Sequence, residues 1–122
     1  MNQTVAEHLT RAEGFLELGM HDEAWEALND VEPEAQRYFP LVALRLSILI
    51  VAKSWLKAEI LADSIIQALP ENAPAWYALA QALAQQEKLA DARDALKRAC
   101  ALDSTIKSMC LKDEILKDLW LL

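Results

Sequence analysis

The 122-residue chain is acidic and apolar at once, with a formal net charge of -7 and 54% hydrophobic residues, a size and content that suit one domain with a real core. Nine acidic and two basic residues fall in residues 1–38, against three of each in 39–72 and seven of each in 73–122. The whole excess lies in the first third, and no clustered basic surface of the kind phosphate binding needs is present, which excludes nucleic acid as the expected partner.

Alanine and leucine dominate, strand formers are scarce, and there are only two glycines and four prolines. The chain is therefore predicted to be all-α with short connections. It opens on "MNQTVAEHLTRAEG", which has neither the basic start nor the apolar centre of a secretion signal, so a cytoplasmic protein is expected. A first pair of apolar-periodic segments is broken at "LGMHDEA", where Gly19 marks a tight turn. Asp22 and Glu23 follow at a helix start, where acids favour the positive end of the dipole. Pro33 is expected to end that helix.

Next comes "FPLVALRLSILIVAKSWL", residues Phe39 to Leu56. Arg45, Ser47 and Lys53 interrupt it, so no window reaches the roughly 18 charge-free residues that a membrane span requires. Pro40, like Pro74 later, falls in the first turn of a helix, where a missing amide proton costs nothing, and Pro70 ends the helix before Pro74. Two further breaks, "AKSWLKA" and "QEKLADA", put Lys53 and Glu87 at the position that Gly19 holds in the first. The closing segment "IKSMCLKDEILKDLWLL" carries Ile106, Met109, Cys110, Leu116, Leu119 and Trp120 on one face, with a break expected near Lys112 to Glu114.

A fixed period organises these pairs. Ala24, Ala58 and Ala92 stand 34 residues apart, and so do Phe15, Leu49 and Leu83, and Leu28, Ala62 and Leu96. Three helix hairpins are thus expected at about 5–38, 39–72 and 73–106, with a capping segment at 107–122, in a single domain. On these residues the chain resembles the tetratricopeptide repeat family, whose unit is a helix pair of this length. The third unit matches best, through Trp76, Leu79, Ala80, Leu83, Ala92, Leu96 and Ala99. The first departs by His8 in place of a frequent tryptophan, and Arg11 and Arg45 stand where the family has leucine. An arginine there is expected to pack its aliphatic stem and lead its head out to a carboxylate. The resemblance implies a right-handed superhelix of three antiparallel hairpins whose exposed last face needs a cap, and small bacterial proteins of three repeats look most like this one.

No constellation points to catalysis, a cofactor or a metal. His8 and His21 lack a third ligand at suitable spacing, and Cys100 and Cys110, ten residues apart, match no zinc or redox pattern. Both thiols are expected to pack between the third hairpin and the cap. There is no glycine-rich phosphate loop, and the serines sit in no nucleophile motif. The chain is expected not to be an enzyme.

In the family the resemblance points to, partners bind the inner surface, lined by the first helix of each repeat. Carried over residue by residue, the partner-binding groove would comprise Leu9, Glu13 and Glu17 of the first repeat, Ala43, Ser47, Ile50 and Val51 of the second, and Tyr77, Gln81 and Gln85 of the third. It would be apolar in the centre, acidic at one end and amide-bearing at the other. Leu46 and Leu49 are expected to face the partner helix and Leu44 and Ile48 the neighbouring repeats, which accounts for most of the apolar stretch. A register shift of one residue would instead bury Ile50 and Val51. The basic and amide set with which related repeat proteins clamp a terminal carboxylate is absent, since Leu9, Glu13, Leu44, Pro74 and Ala78 hold those places. The implied function is a protein-interaction module taking an apolar segment of another protein, with basic residues to meet Glu13 and Glu17. Self-association as a homodimer and a role as a small secretion-type chaperone are the alternatives.

Overall fold

The computed structural model describes residues 3–114 and 116–120, side chains of residues 3 and 120 aside. Among the described residues eight α-helices run α1 Gln3–Glu17, α2 His21–Asn29, α3 Phe39–Val51, α4 Trp55–Ala68, α5 Ala73–Gln85, α6 Leu89–Leu102, α7 Thr105–Leu111 and α8 Leu116–Trp120. No strand occurs among the described residues, so the all-α class read from the sequence is the one adopted. By contacts the chain divides into two compact units, Met1–Lys53 and Ser54–Leu122.

In the first unit, α1 buries Val5, Leu9 and Ala12 against Ala24, Ala27 and Leu28 of α2, and α3 adds Leu41 and Ile48 to the same core. Ala12 and Ala24 are fully enclosed, and alanine at both places lets the two helices approach closely. Leu44 packs against this cluster from its edge. The α1–α2 turn is closed by Met20 N–H donating to Phe15 O and Gly19 N–H to Leu16 O, both at 2.9 Å, with Gly19 at φ +75°. This pairing satisfies carbonyls that a helix end would otherwise orphan. Pro33 does not terminate α2. The helix stops at Asn29, and Pro33 opens a short 3-10 turn, Pro33–Ala35, where its fixed φ suits the first position. The Gln36 side chain then donates to Leu28 O and Val31 O, each at 2.9 Å, tying that turn to the end of α2.

In the second unit, α5 lies between α4 and α6 and also meets α8. Nine of its thirteen residues are buried, six of them alanines, whereas the more hydrophobic α3 buries only Leu41, Leu46, Ile48 and Leu49. The most enclosed helix is thus the alanine-rich one, because small side chains let neighbours close on several sides. Its start is fixed by Asn72, whose Oδ1 accepts from Ala75 N–H at 2.9 Å, and by Pro74 in the first turn. Trp76 Nε1–H donates to Pro70 O at 2.8 Å, which holds the α4–α5 connection against α5.

The closing segment breaks between α7 and α8 as the sequence predicts. Asp113 Oδ1 accepts from Leu116 N–H at 3.1 Å, and Asp113 O accepts from Lys117 N–H at 2.9 Å, a side-chain and main-chain start for α8. Ile106, Cys110, Leu116 and Leu119 are buried, and α7 and α8 both pack on α6. Met109 does not share that face. It is 51% exposed, because α7 ends after seven residues and only one side of it meets α6. The side chain of Trp120 lies outside the described residues.

Candidate functional site

The ten residues read as a groove separate by unit and by depth. In the first unit, Glu13 and Glu17 are exposed one turn apart on α1, while Leu9, on the same stripe, is only 8% exposed and belongs to the core. Its place in the core cluster leaves it little side-chain surface for a partner. On α3, Ala43, Ser47 and Ile50 stand at i, i+4 and i+7, so they share one face. Ser47 is exposed, its hydroxyl donating back to Ala43 O at 3.4 Å. Ala43 and Ile50 are half-buried, and Val51 is 46% exposed.

In the second unit, Gln85 is exposed and Gln81 half-buried, but Tyr77 keeps only 9% of its surface. The cause is the tail. With α8 lying on α5 and α6, the Tyr77 phenol sits among burial, Asp113, Cys110 and Cys100, which in that order push its pKa up to about 12. The tyrosine expected to meet a partner is covered by the chain's own closing helices. Burial pushes the Cys110 and Cys100 thiols up as well, with Lys107 opposing the shift at Cys100. Cys110 S–H donates to Leu116 O at 3.4 Å. Both cysteines are free thiols, and they occupy the junction of α6, α7 and α8 expected from the sequence.

A second arrangement was only half legible. Arg45 does pack its stem, but among the described residues its head meets no carboxylate. Nη2 donates to Gln36 Oε1 at 2.8 Å and to Asn29 Oδ1 at 3.0 Å, and the guanidinium lies 4.3 Å from the centre of the Trp25 ring. Burial lowers the Arg45 pKa, and Nη1 is buried with no hydrogen-bond partner among the described residues. Neutral amide oxygens and an aromatic face thus do the work expected of a carboxylate. Trp25, spaced so that α2 presents it toward α3, was the signal in the sequence that could have indicated this.

Among the described residues no group of three or more His, Cys, Asp or Glu is placed to hold a metal ion, and no helix is long and apolar enough to cross a membrane. Three helix-closing turns recur at one spacing, with Gly19, Lys53 and Glu87 at φ +75°, +59° and +62°. No curated protein and no solved structure matches the chain. Residues 73–106, which span α5, α6 and the start of α7, match the model of the tetratricopeptide repeat, and the eight helices among the described residues fit a small protein of that repeat.

Proposed function

We propose that the chain is a non-enzymatic protein-interaction module, and that the face of α3 carrying Ala43, Ser47, Ile50 and Val51 receives an apolar segment of another protein. Tetratricopeptide repeats generally mediate protein–protein interaction, and residues 73–106 form one. The observation that carries the finer reading is Val51, an aliphatic residue 46% exposed beside half-buried Ile50 on a helix whose other side is sunk in the core at Leu41 and Ile48. Because both are already partly buried, covering them would contribute about half of the roughly 1.5 to 3 kcal/mol that burying a fully exposed aliphatic side chain gives. Glu13 and Glu17, exposed on α1 of the same unit, favour a segment with basic residues beside its apolar ones.

The test is the Ile50→Glu/Val51→Glu double variant, with Val51→Glu alone as the milder form. Circular dichroism should report an intact helical fold, and a partner captured by the wild type should be lost. Light scattering separates the self-associating alternative, since a wild-type dimer that becomes a folded monomer assigns this face to a second copy. A folded variant that captures the same partner with unchanged affinity overturns the assignment of α3.

A further inference from the structure

The first unit supplies its own template for reading a groove in the second. Moving 34 residues along the chain from Trp25, Asn29 and Arg45 leads to Glu59, Asp63 and Leu79. In the first unit the arginine crosses from α3 to α2, stacks on the indole and donates to the asparagine. In the second, the corresponding residue of α5 is a leucine with no head to send across, and the corresponding residues of α4 are carboxylates. A groove of about 440 Å³ runs there between α4 and α6. Its floor is apolar, made of Trp76, Leu79 and Leu83, and Glu59 and Asp63 form one wall while Asp91 and Asp94 line the other.

The charge is unbalanced. Arg98 is the single cationic residue in the described lining, against those four carboxylates. Glu59 is partly committed, since one of its oxygens accepts from Gln86 Nε2 at 2.8 Å and from Lys88 Nζ at 3.1 Å, which leaves the other oxygen. Burial, and then the charge of Glu59, pushes the Asp63 carboxyl up from its ordinary value. The four acids do not converge tightly enough to hold a metal ion, so a cation suited to this groove is large, planar or spread along a chain. An arginine side chain has these properties: a guanidinium that stacks on an aromatic face and bonds carboxylate oxygens, and an aliphatic stem for the leucines. Leu56 and Ile60, both exposed on α4 within a turn of Glu59 and Asp63, add aliphatic surface beside the wall.

We infer that the groove between α4 and α6 is a docking site for an arginine-bearing segment of a partner protein, whose guanidinium meets the carboxylates of the walls above the apolar floor. This surface is separate from the α3 face, and either assignment can fail without the other.

The experiment uses the full chain and three synthetic, end-blocked peptides of one length in which leucine alternates with arginine, lysine or glutamate. Binding is followed by the nitrogen–proton resonance of the Trp76 indole, identified by its loss in Trp76→Phe. The arginine peptide should shift that resonance saturably, the lysine peptide should bind at least several-fold more weakly, and the glutamate peptide should not bind. Glu59→Gln/Asp63→Asn, changes at the groove wall that leave the core intact, should weaken the arginine peptide about tenfold, the scale of one charge-assisted contact. Leu79→Arg places a guanidinium of the chain's own beside Glu59 and Asp63 and, where it folds, should abolish peptide binding. No saturable shift, equal binding of lysine and arginine peptides, or full affinity in Glu59→Gln/Asp63→Asn would each overturn the proposal.

Discussion

The Arg45 guanidinium stacks 4.3 Å from the centre of the Trp25 ring, and this contact, with the bonds to Gln36 and Asn29, joins α3 to α2 without an opposite charge. Such a stack contributes about 0.5 to 1 kcal/mol at a partly exposed site, and each hydrogen bond about as much again. A double-mutant cycle with Arg45→Leu and Trp25→Leu should therefore give a coupling of about 0.5 to 1 kcal/mol in urea unfolding. Because the acceptors are neutral, the destabilisation in Arg45→Leu should change little between low and high salt. Arg45→Lys should not restore it, since an ammonium cannot reproduce the planar stack. A coupling near zero, or one that salt removes, would mean that the geometry is incidental.

The second prediction concerns the recurring turn. Lys53 and Glu87 hold a left-handed conformation that costs an L-residue about 1 to 2 kcal/mol, against the 0.5 to 1 kcal/mol that glycine's extra unfolded freedom costs. Lys53→Gly and Glu87→Gly should each stabilise the fold by up to about 1 kcal/mol. Gly19→Ala should destabilise it by about the same amount. A Cβ at Gly19 meets nothing within 4 Å, so that loss would be purely conformational. Melting temperatures that move the opposite way in the two glycine variants would show that Lys53 and Glu87 make compensating contacts.

These turns were legible in advance because a period of 34 places Lys53 and Glu87 where Gly19 stands, and a backbone requirement repeats with the helix pair. The break before α8 was legible only through the resemblance of the tail to those that close short repeat proteins, and the Asp113 cap that makes it was not foreseen. What escaped was tertiary. Gln36 reaches Arg45 by way of the 3-10 turn that Pro33 opens, and Asn29 from the end of α2, and no local pattern encodes that meeting. Tyr77 had the register of a groove residue, and the tail's folding back over α5 withdrew it. The burial of α5 ahead of α3 escaped because hydropathy scores the side chain itself, whereas enclosure depends on how closely neighbours approach, which alanine permits and isoleucine limits.

Tyr77 gives a pH prediction with a defined sign. An unfolded tyrosine loses its proton near pH 10, while Tyr77 holds its proton to about 12. Between those values the native state binds more protons than the unfolded one, so stability is complete below about pH 10 and falls as the pH rises through the window. The shifts at Cys100 and Cys110 act in the same direction. Comparing wild type with Tyr77→Phe near pH 9 and near pH 11.5 isolates the phenol, because the thiols contribute to both proteins. The urea midpoint of the wild type should drop more over that range than that of the phenylalanine variant. Parallel losses would mean the phenol titrates as though exposed.

The last prediction tests whether the closing helices are part of the fold or an appendage. Ile106, Cys110, Leu116 and Leu119 are buried where α7 and α8 pack on α6 and each other, α8 also meets α5, and Asp113 and Cys110 lie near enough to Tyr77 to raise its pKa. Removing residues 105–122 would uncover the faces of α5 and α6 beneath them, and a terminal hairpin without its polar outer layer should aggregate or lose its cooperative melt. A point substitution sharpens the test, since Cys110 is fully enclosed while Cys100 is only half-buried. Cys110→Ala should cost about 1 to 2 kcal/mol, and Cys100→Ala clearly less. The Cys110 thiol in the full chain should also react slowly with a disulfide reagent at neutral pH, because it is both covered and held in the protonated form. A soluble truncation with the melt of the full chain, or Cys110 labelling at the rate of an unfolded thiol, would show that α7 and α8 rest on α6 only loosely. Tyr77 would then be open to a partner after all.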